Sequence, residues 1–250
     1  MILFASDYDG TLYFHNKDSS YFKENDLLKI HELRAKGNLF SLCTGRIIDT
    51  IKQNLIENIE FDYAIASTGG AIFDNNFNDF HHVRCDFSSL KDIFIKYKDQ
   101  LHFYYHVGGY PYVVGKKSIQ YDNRTEFNSI DDLANKEIVG VSVYTPDEIT
   151  AREICITLNN SYPKLAVFQN NNWLDIVDKS VSKGISALKL KELTNADILV
   201  GIGDSYNDIE LLKAADISFT FHDSPQEVKQ YATYLVHSVS EAIDIVLNLK

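Results

Sequence analysis

Two stretches of the chain, residues 2–67 and 182–249, alternate apolar runs of strand length with amphipathic runs of helix length, and this alternation constrains the fold more than any other feature. Ile2–Ser6 reads as a buried strand, and Asn25–Lys36 as a helix with Leu27, Ile30 and Leu33 along one stripe and Gly37 as its stop. Asn38–Cys43 reads as a second strand, Arg46–Asn58 as a second helix with Ile47, Ile51 and Leu55 at intervals of four, and Phe61–Ser67 as a third strand. From Ser182 the pattern resumes with a helix over 182–194, a strand Ile198–Ile202, a helix over 208–215, a strand Ile217–Phe221, and helices over 225–232 and 240–249. Ser224-Pro225-Gln226-Glu227 has the form of a capping box with proline at the first helical position. Such alternation implies right-handed crossovers and a mainly parallel sheet covered on both faces, a Rossmann-like doubly wound α/β core.

After Thr68-Gly69-Gly70 the character changes to polar turns and aromatic-rich runs such as HFYYHVGGYPYVVG at 102–115. The periodicity predicts helices over 88–99 and 147–160, and strands near 102–106, 110–115, 138–144, 165–169 and 173–177. An α+β module over 82–181 is therefore expected as an insertion into a core made of 1–81 and 182–250.

The polar residues sort to one place, because ligands of an open parallel sheet bind beyond the carboxyl ends of its strands. The first strand ends at Asp7-Tyr8-Asp9-Gly10-Thr11, the second at Thr44-Gly45-Arg46, and the strand after the insertion at Gly203-Asp204-Ser205-Tyr206-Asn207-Asp208, while Lys183-Gly184 opens the preceding helix. Asp7, Asp9 and Asp204 brought together repel one another unless a cation lies between them, and oxygen ligands favour Mg²⁺. A carboxylate free to attack phosphorus forms an aspartyl-phosphate, and its neighbour two residues on can protonate the leaving oxygen and later take a proton from water. Thr44, Lys183 and backbone amides near Gly10 suit the phosphoryl oxygens. Gly10 lets the backbone turn close to a phosphate, Thr11 is expected to tie that turn through its hydroxyl, and Tyr8 is expected to pack.

Taken singly, these groups are ordinary: D-x-D-G-T is a common turn, Thr44 a helix cap, Lys183 a surface lysine. Their joint placement in order along one sheet edge is what points to chemistry. Other features carry less. His81 and His82 are adjacent, so they point apart in an extended chain, and they read as a solvated linker. Gly201-x-Gly203 lacks the third glycine of a dinucleotide loop. The tyrosines and Trp173 read mostly as core and sheet faces of the insertion, with some of them candidates to line a pocket.

Charge narrows the partners. With 24 Lys+Arg against 35 Asp+Glu and a formal charge of −11, neither a nucleic acid nor an anionic membrane is an expected partner, and a phosphate ligand needs local positive charge. Cys43, Cys85 and Cys155 are too scattered for a disulfide framework or a clustered zinc site, and a reducing cytoplasm fits them. The apolar run Ile2–Ala5 is too short for a signal peptide, no window approaches a membrane span, and Asn159-Asn160-Ser161 matches the glycosylation pattern by chance.

Together the motifs resemble the haloacid dehalogenase-like superfamily, in particular the Cof-like phosphatases with a type IIB cap inserted after the third strand. The resemblance runs along essentially the whole chain and rests on Asp7-Tyr8-Asp9-Gly10-Thr11-Leu12, Cys43-Thr44-Gly45-Arg46, Ser182-Lys183-Gly184 and Gly203-Asp204-Ser205-Tyr206-Asn207-Asp208. It implies Asp7 as nucleophile and metal ligand, Asp9 as general acid/base with its backbone carbonyl on Mg²⁺, and Asp204 as a further ligand. It also implies phosphoryl contacts from Thr44, Gly45, Lys183 and Asn207, with Asp208 and Thr11 supporting the site from behind. Thr68-Gly69-Gly70-Ala71 departs from the Asn-Gly-Ala common in relatives, and Phe221-His222-Asp223-Ser224-Pro225 stands where a small Gly-Asn-Ala turn is common. The implied activity is Mg²⁺-dependent hydrolysis of a small phosphorylated metabolite, a sugar phosphate being the expected class. A phosphomutase on the same scaffold, a phosphorylated receiver and a catalytically silent metabolite sensor are the alternatives, and nothing in the sequence sets the oligomeric state.

Overall fold

The computed structural model describes residues 1–16, 19–54, 59–114 and 124–249. Leu55 and the end of the second expected helix, and Gly115 at the end of the strand expected over 110–115, lie outside the described residues. The chain opens with β1 (Ile2–Asp7), a small hairpin of β2 (Tyr13–His15) and β3 (Ser20–Phe22), α1 (Glu24–Ala35), β4 (Leu39–Cys43), α2 (Ile48–Asn54) and β5 (Tyr63–Ala66). Gly37 stops α1 in the left-handed region, at φ +80°. A hairpin of β6 (Ala71–Asp74) and β7 (Asp79–His82) follows β5. The linker expected at His81-His82 is thus an edge strand, where His82 pairs with Asp79 at 2.8 Å. Its polar composition hid it, as edges exposed to water need no apolar run.

The middle of the chain forms α3 (Phe87–Tyr97), β8 (His102–Val107), β9 (Tyr110–Val114), β10 (Thr125–Phe127), β11 (Ile138–Tyr144), α4 (Glu148–Ser161), β12 (Leu165–Asn170) and β13 (Trp173–Asp178). Asp86 caps α3 by accepting from the Ser89 N–H, and Asp147 caps α4 through Thr150. The six strands lie in the order β10-β9-β8-β11-β13-β12. Period-two alternation divides β8. Phe103, Tyr105 and Val107 join the apolar cluster that includes Leu90 and Ile93 of α3, whereas Tyr104 and His106 face the other way, towards Trp173 and Ser67.

The last third contributes α5 (Lys183–Thr194), β14 (Ile198–Ile202), α6 (Ile209–Ala214), β15 (Ile217–Phe221), α7 (Gln226–Lys229), β16 (Tyr234–Val236) and α8 (Val239–Asn248). The larger sheet runs β16-β15-β14-β1-β4-β5-β6-β7, and only the β6–β7 end is antiparallel. β1 pairs in parallel with β14 on one side and β4 on the other, which makes it the point where the strand order reverses. Both its faces are buried. Phe4 packs with Phe40, Val200 and Ile243, while Leu3 and Ala5 pack with Leu190, Leu199 and Leu211. The capping box expected at Ser224 does not form. Pro225 stands before α7, and the Ser224 hydroxyl accepts from Thr220 Oγ1 and the Phe221 N–H instead, so the helix is short. Reciprocal capping boxes occur at Ser205 with Asp208 and at Ser129 with Asp132.

Candidate active site

A cavity of about 530 Å³ opens at the carboxyl end of β1 and is bounded by residues of both sheets. Asp7, Asp9 and Gly10 reach it from β1, Thr44 and Gly45 from the end of β4, and Asp204 and Asn207 from the segment after β14. Lys183, at the start of α5, and Asp208 are buried beneath this floor. Topology accounts for the convergence: parallel strands place their carboxyl ends along one edge, and β1 is central.

Charge organises the floor. Lys183 Nζ lies 2.6 Å from Asp7 Oδ1 and 2.6 Å from Asp208 Oδ1, with all three groups buried. Burial by itself would lower the lysine's pKa, but Asp208 and Asp7 hold it well above its ordinary value. Burial, followed by repulsion from Asp208, pushes Asp7 well above the usual carboxylate range against the pull of Lys183. Asp204 is raised by the same two causes, in the same order. Asp7, Asp204 and Asp208 present oxygens within 4.8 Å of one another, and Lys183 pairs with Asp7 and Asp208, so the carboxyl groups outnumber the one ammonium. An all-oxygen donor set with that excess fits a hard divalent cation such as Mg²⁺.

Two small residues make room for the carboxylates. Gly10 has φ +83°, and a Cβ there would stand 2.9 Å from Asp204 Oδ2. The Thr11 hydroxyl does not tie down its own turn but donates to Asp204 Oδ1 at 3.0 Å. The turn is held by the backbone, Leu12 and Tyr13 both donating to the Tyr8 carbonyl. Tyr8 is fully buried, as expected of a packing residue.

Asp9 points elsewhere. Its carboxylate receives Arg46 Nε at 2.7 Å and Arg46 Nη2 at 2.6 Å, a bidentate fork, and the guanidinium lies between 5 and 6 Å from the Tyr8 and Tyr13 ring centres. The side chains of Asp7 and Asp9 thus address one cavity from different sides. Thr44 Oγ1 accepts from the Arg46 N–H, and Ser205 Oγ donates to Asn207 Oδ1.

Of the residues that close the cavity from the smaller sheet, sequence reasoning offers only Trp173 as a candidate for a pocket wall. These residues are Ser142 on β11, Asn170 and Asn171 at the β12–β13 turn, and Trp173 and Asp175 on β13. The available signal was Trp173-x-Asp175, two residues that share one face of a strand directly after an asparagine turn.

The family model for haloacid dehalogenase-like hydrolases matches residues 4–247. Phosphoglycolate phosphatase 2 of Saccharolobus solfataricus is 26% identical over 99% of this chain and 93% of its own. Among solved structures, the HAD subclass IIB sugar phosphatase BT4131 superposes with a TM-score of 0.79 at 17% identity, covering 100% of both chains. A haloacid dehalogenase-like hydrolase from B. subtilis gives 0.80 at 16% identity, again over 100% of both.

Proposed function

Since the chain belongs to the haloacid dehalogenase-like hydrolases, we propose that it is a Mg²⁺-dependent phosphatase that moves the phosphoryl group of a small metabolite, of the sugar-phosphate class, onto Asp7 and then to water. The observation that carries this reading is the buried Asp7, pinned through one oxygen by Lys183 at the floor of a cavity that Asp9 also lines.

Pinning Oδ1 leaves Oδ2 as the attacking oxygen. As it bonds to phosphorus, the bond to the leaving alkoxide breaks, and Asp9 gives that oxygen its proton. In the second half Asp9 takes a proton from water, the water oxygen attacks the aspartyl-phosphate, and Asp7 is released with inorganic phosphate. The Thr44 hydroxyl, the Gly45 backbone, the Asn207 amide and Lys183 are assigned to the phosphoryl oxygens. Asp7, the backbone carbonyl of Asp9 and Asp204 would hold Mg²⁺, with Asp208 behind them. When bound, the metal supplies positive charge to the phosphoryl group and offsets the carboxylate excess.

The module over 82–181 is assigned as a cap that keeps bulk water out and reads the leaving group. Cys43, Cys85 and Cys155 are free thiols, which supports work in a reducing cytoplasm; among the described residues no helix is long and apolar enough to cross a membrane. Phosphate release from a panel of phosphorylated metabolites, with Mg²⁺ or with chelator, tests the proposal. Release should require the metal and vanish in Asp7→Asn. Activity that survives this substitution would overturn the nucleophile assignment.

A further inference from the structure

The cavity wall opposite the catalytic floor contains a buried carboxyl that the hydrolytic steps leave unused. Asp175 accepts from Thr68 Oγ1 at 2.9 Å through Oδ2 and from Ser142 Oγ at 2.9 Å through Oδ1. It lies so close to the end of β4 that a Cβ on Gly45 would stand 2.6 Å from its Oδ2. Its bonds are to hydroxyls only, and among the described residues no ion pair to it is formed. A carboxyl held in this way keeps further lone pairs for a ligand, and what it can receive is a donor.

The surroundings point the same way. Among the described residues that line the cavity, Arg46 is the one cation, and its fork is occupied by Asp9. The smaller sheet adds Ser142, Asn170 and Asn171, which are neutral, and the indole of Trp173, braced edge-on by Tyr144 with ring centres 5.1 Å apart. An indole offers a flat face to C–H groups, while amides, hydroxyls and a carboxyl accept from O–H groups. Among the described lining residues a ligand with a second anionic group would find no free counter-charge, and it would meet Asp175.

Resting on the phosphatase reading above, we infer that Asp175 is a specificity-determining residue that accepts a hydrogen bond from a leaving-group hydroxyl, so that the enzyme takes neutral polyhydroxylated monophosphates and discriminates against carboxylated ones. Thr68 and Ser142 position its two oxygens. Gly45 keeps the approach open.

A matched pair of probes isolates the claim. Racemic glycerol 1-phosphate and 3-phosphoglycerate differ by a hydroxymethyl group against a carboxylate, and kcat/KM is measured for each beside p-nitrophenyl phosphate. The wild type should favour the alcohol by at least about tenfold, and Asp175→Asn, which keeps the shape but removes the charge, should shrink that ratio by at least about fivefold. Ser142→Ala, which frees one carboxyl oxygen without touching the charge, should shift the ratio in the same direction but less. A ratio unmoved in Asp175→Asn while both efficiencies fall together would overturn the assignment and leave Asp175 a tether between the sheets. So would a wild type that treats the two probes alike while hydrolysing p-nitrophenyl phosphate. Absence of phosphate release from all three probes would overturn the phosphatase reading and the assignment with it.

Discussion

Acid should loosen the fold at a single buried histidine before it protonates most surface carboxylates. His106 is buried on β8, on the face turned away from the smaller sheet's apolar cluster, with Nδ1 2.9 Å from the Ser67 hydroxyl. Ser67 begins the tight segment that leaves β5, where Ser67 and Thr68 both have positive φ, 51° and 55°. Burial pushes the His106 pKa from 6.5 down to about 4, because the imidazolium would lose its water there. Above the ordinary value both folded and unfolded chains carry a neutral ring, and pH has no leverage through this group. Between that value and about 4 the unfolded chain takes up a proton that the native chain refuses, so stability falls as pH falls. At about 1.4 kcal/mol per pH unit, the loss reaches about 3 kcal/mol near the folded pKa. That is a large share of the roughly 5–15 kcal/mol typical of a folded domain. Urea unfolding of the wild type and of His106→Gln, between about pH 7.5 and about pH 4, gives the measurement. Glutamine still reaches Ser67 but does not titrate, and the carboxylates common to both proteins cancel in the difference. The wild type should lose about 3 kcal/mol more than the variant over this range. Equal losses would refute a ring held neutral by burial.

Two substitutions probe the proposed catalytic floor. Gly10→Ala combines a disfavoured φ with a Cβ 2.9 Å from Asp204 Oδ2, so it should cost about 1–3 kcal/mol of stability and raise the Mg²⁺ concentration needed for half-maximal phosphate release. An unchanged Mg²⁺ requirement would show that Asp204 is not displaced. Arg46→Lys keeps the charge but loses the bidentate fork on Asp9, and kcat should fall about tenfold in steady-state assays. A variant matching the wild-type kcat would mean that the fork does not orient Asp9.

Which parts of this molecule were legible in its sequence follows from what buries them. β1, β4 and β14 are covered on both faces, so their apolar runs are continuous and stand out. β2, β3, β10 and β16 are three residues long and partly exposed, too short for either periodicity to register. The convergence of Asp7, Thr44, Lys183 and Asp204 was legible because parallel strands carry motif residues at their carboxyl ends to a common edge, whatever their separation in sequence. Orientation was not. Asp7 and Asp9 would share a face if the strand continued, but β1 ends at Asp7, and Gly10 bends the chain so that Asp9 meets Arg46 while Asp7 meets Lys183. Thr68 shows the same limit from the other direction. Its departure from the commoner asparagine is visible in the sequence, yet its partner Asp175 lies 107 residues away, and no local pattern joins the two. A motif can therefore locate a cluster of polar groups by topology alone, whereas the residues that face it from the smaller sheet are defined by which strand faces oppose each other across the cavity. Here Thr68 reaches Asp175 from the segment after β5 and Ser142 from the paired strand β11, so Thr68→Val and Ser142→Ala together should release Asp175 from its position without altering the charge of the floor.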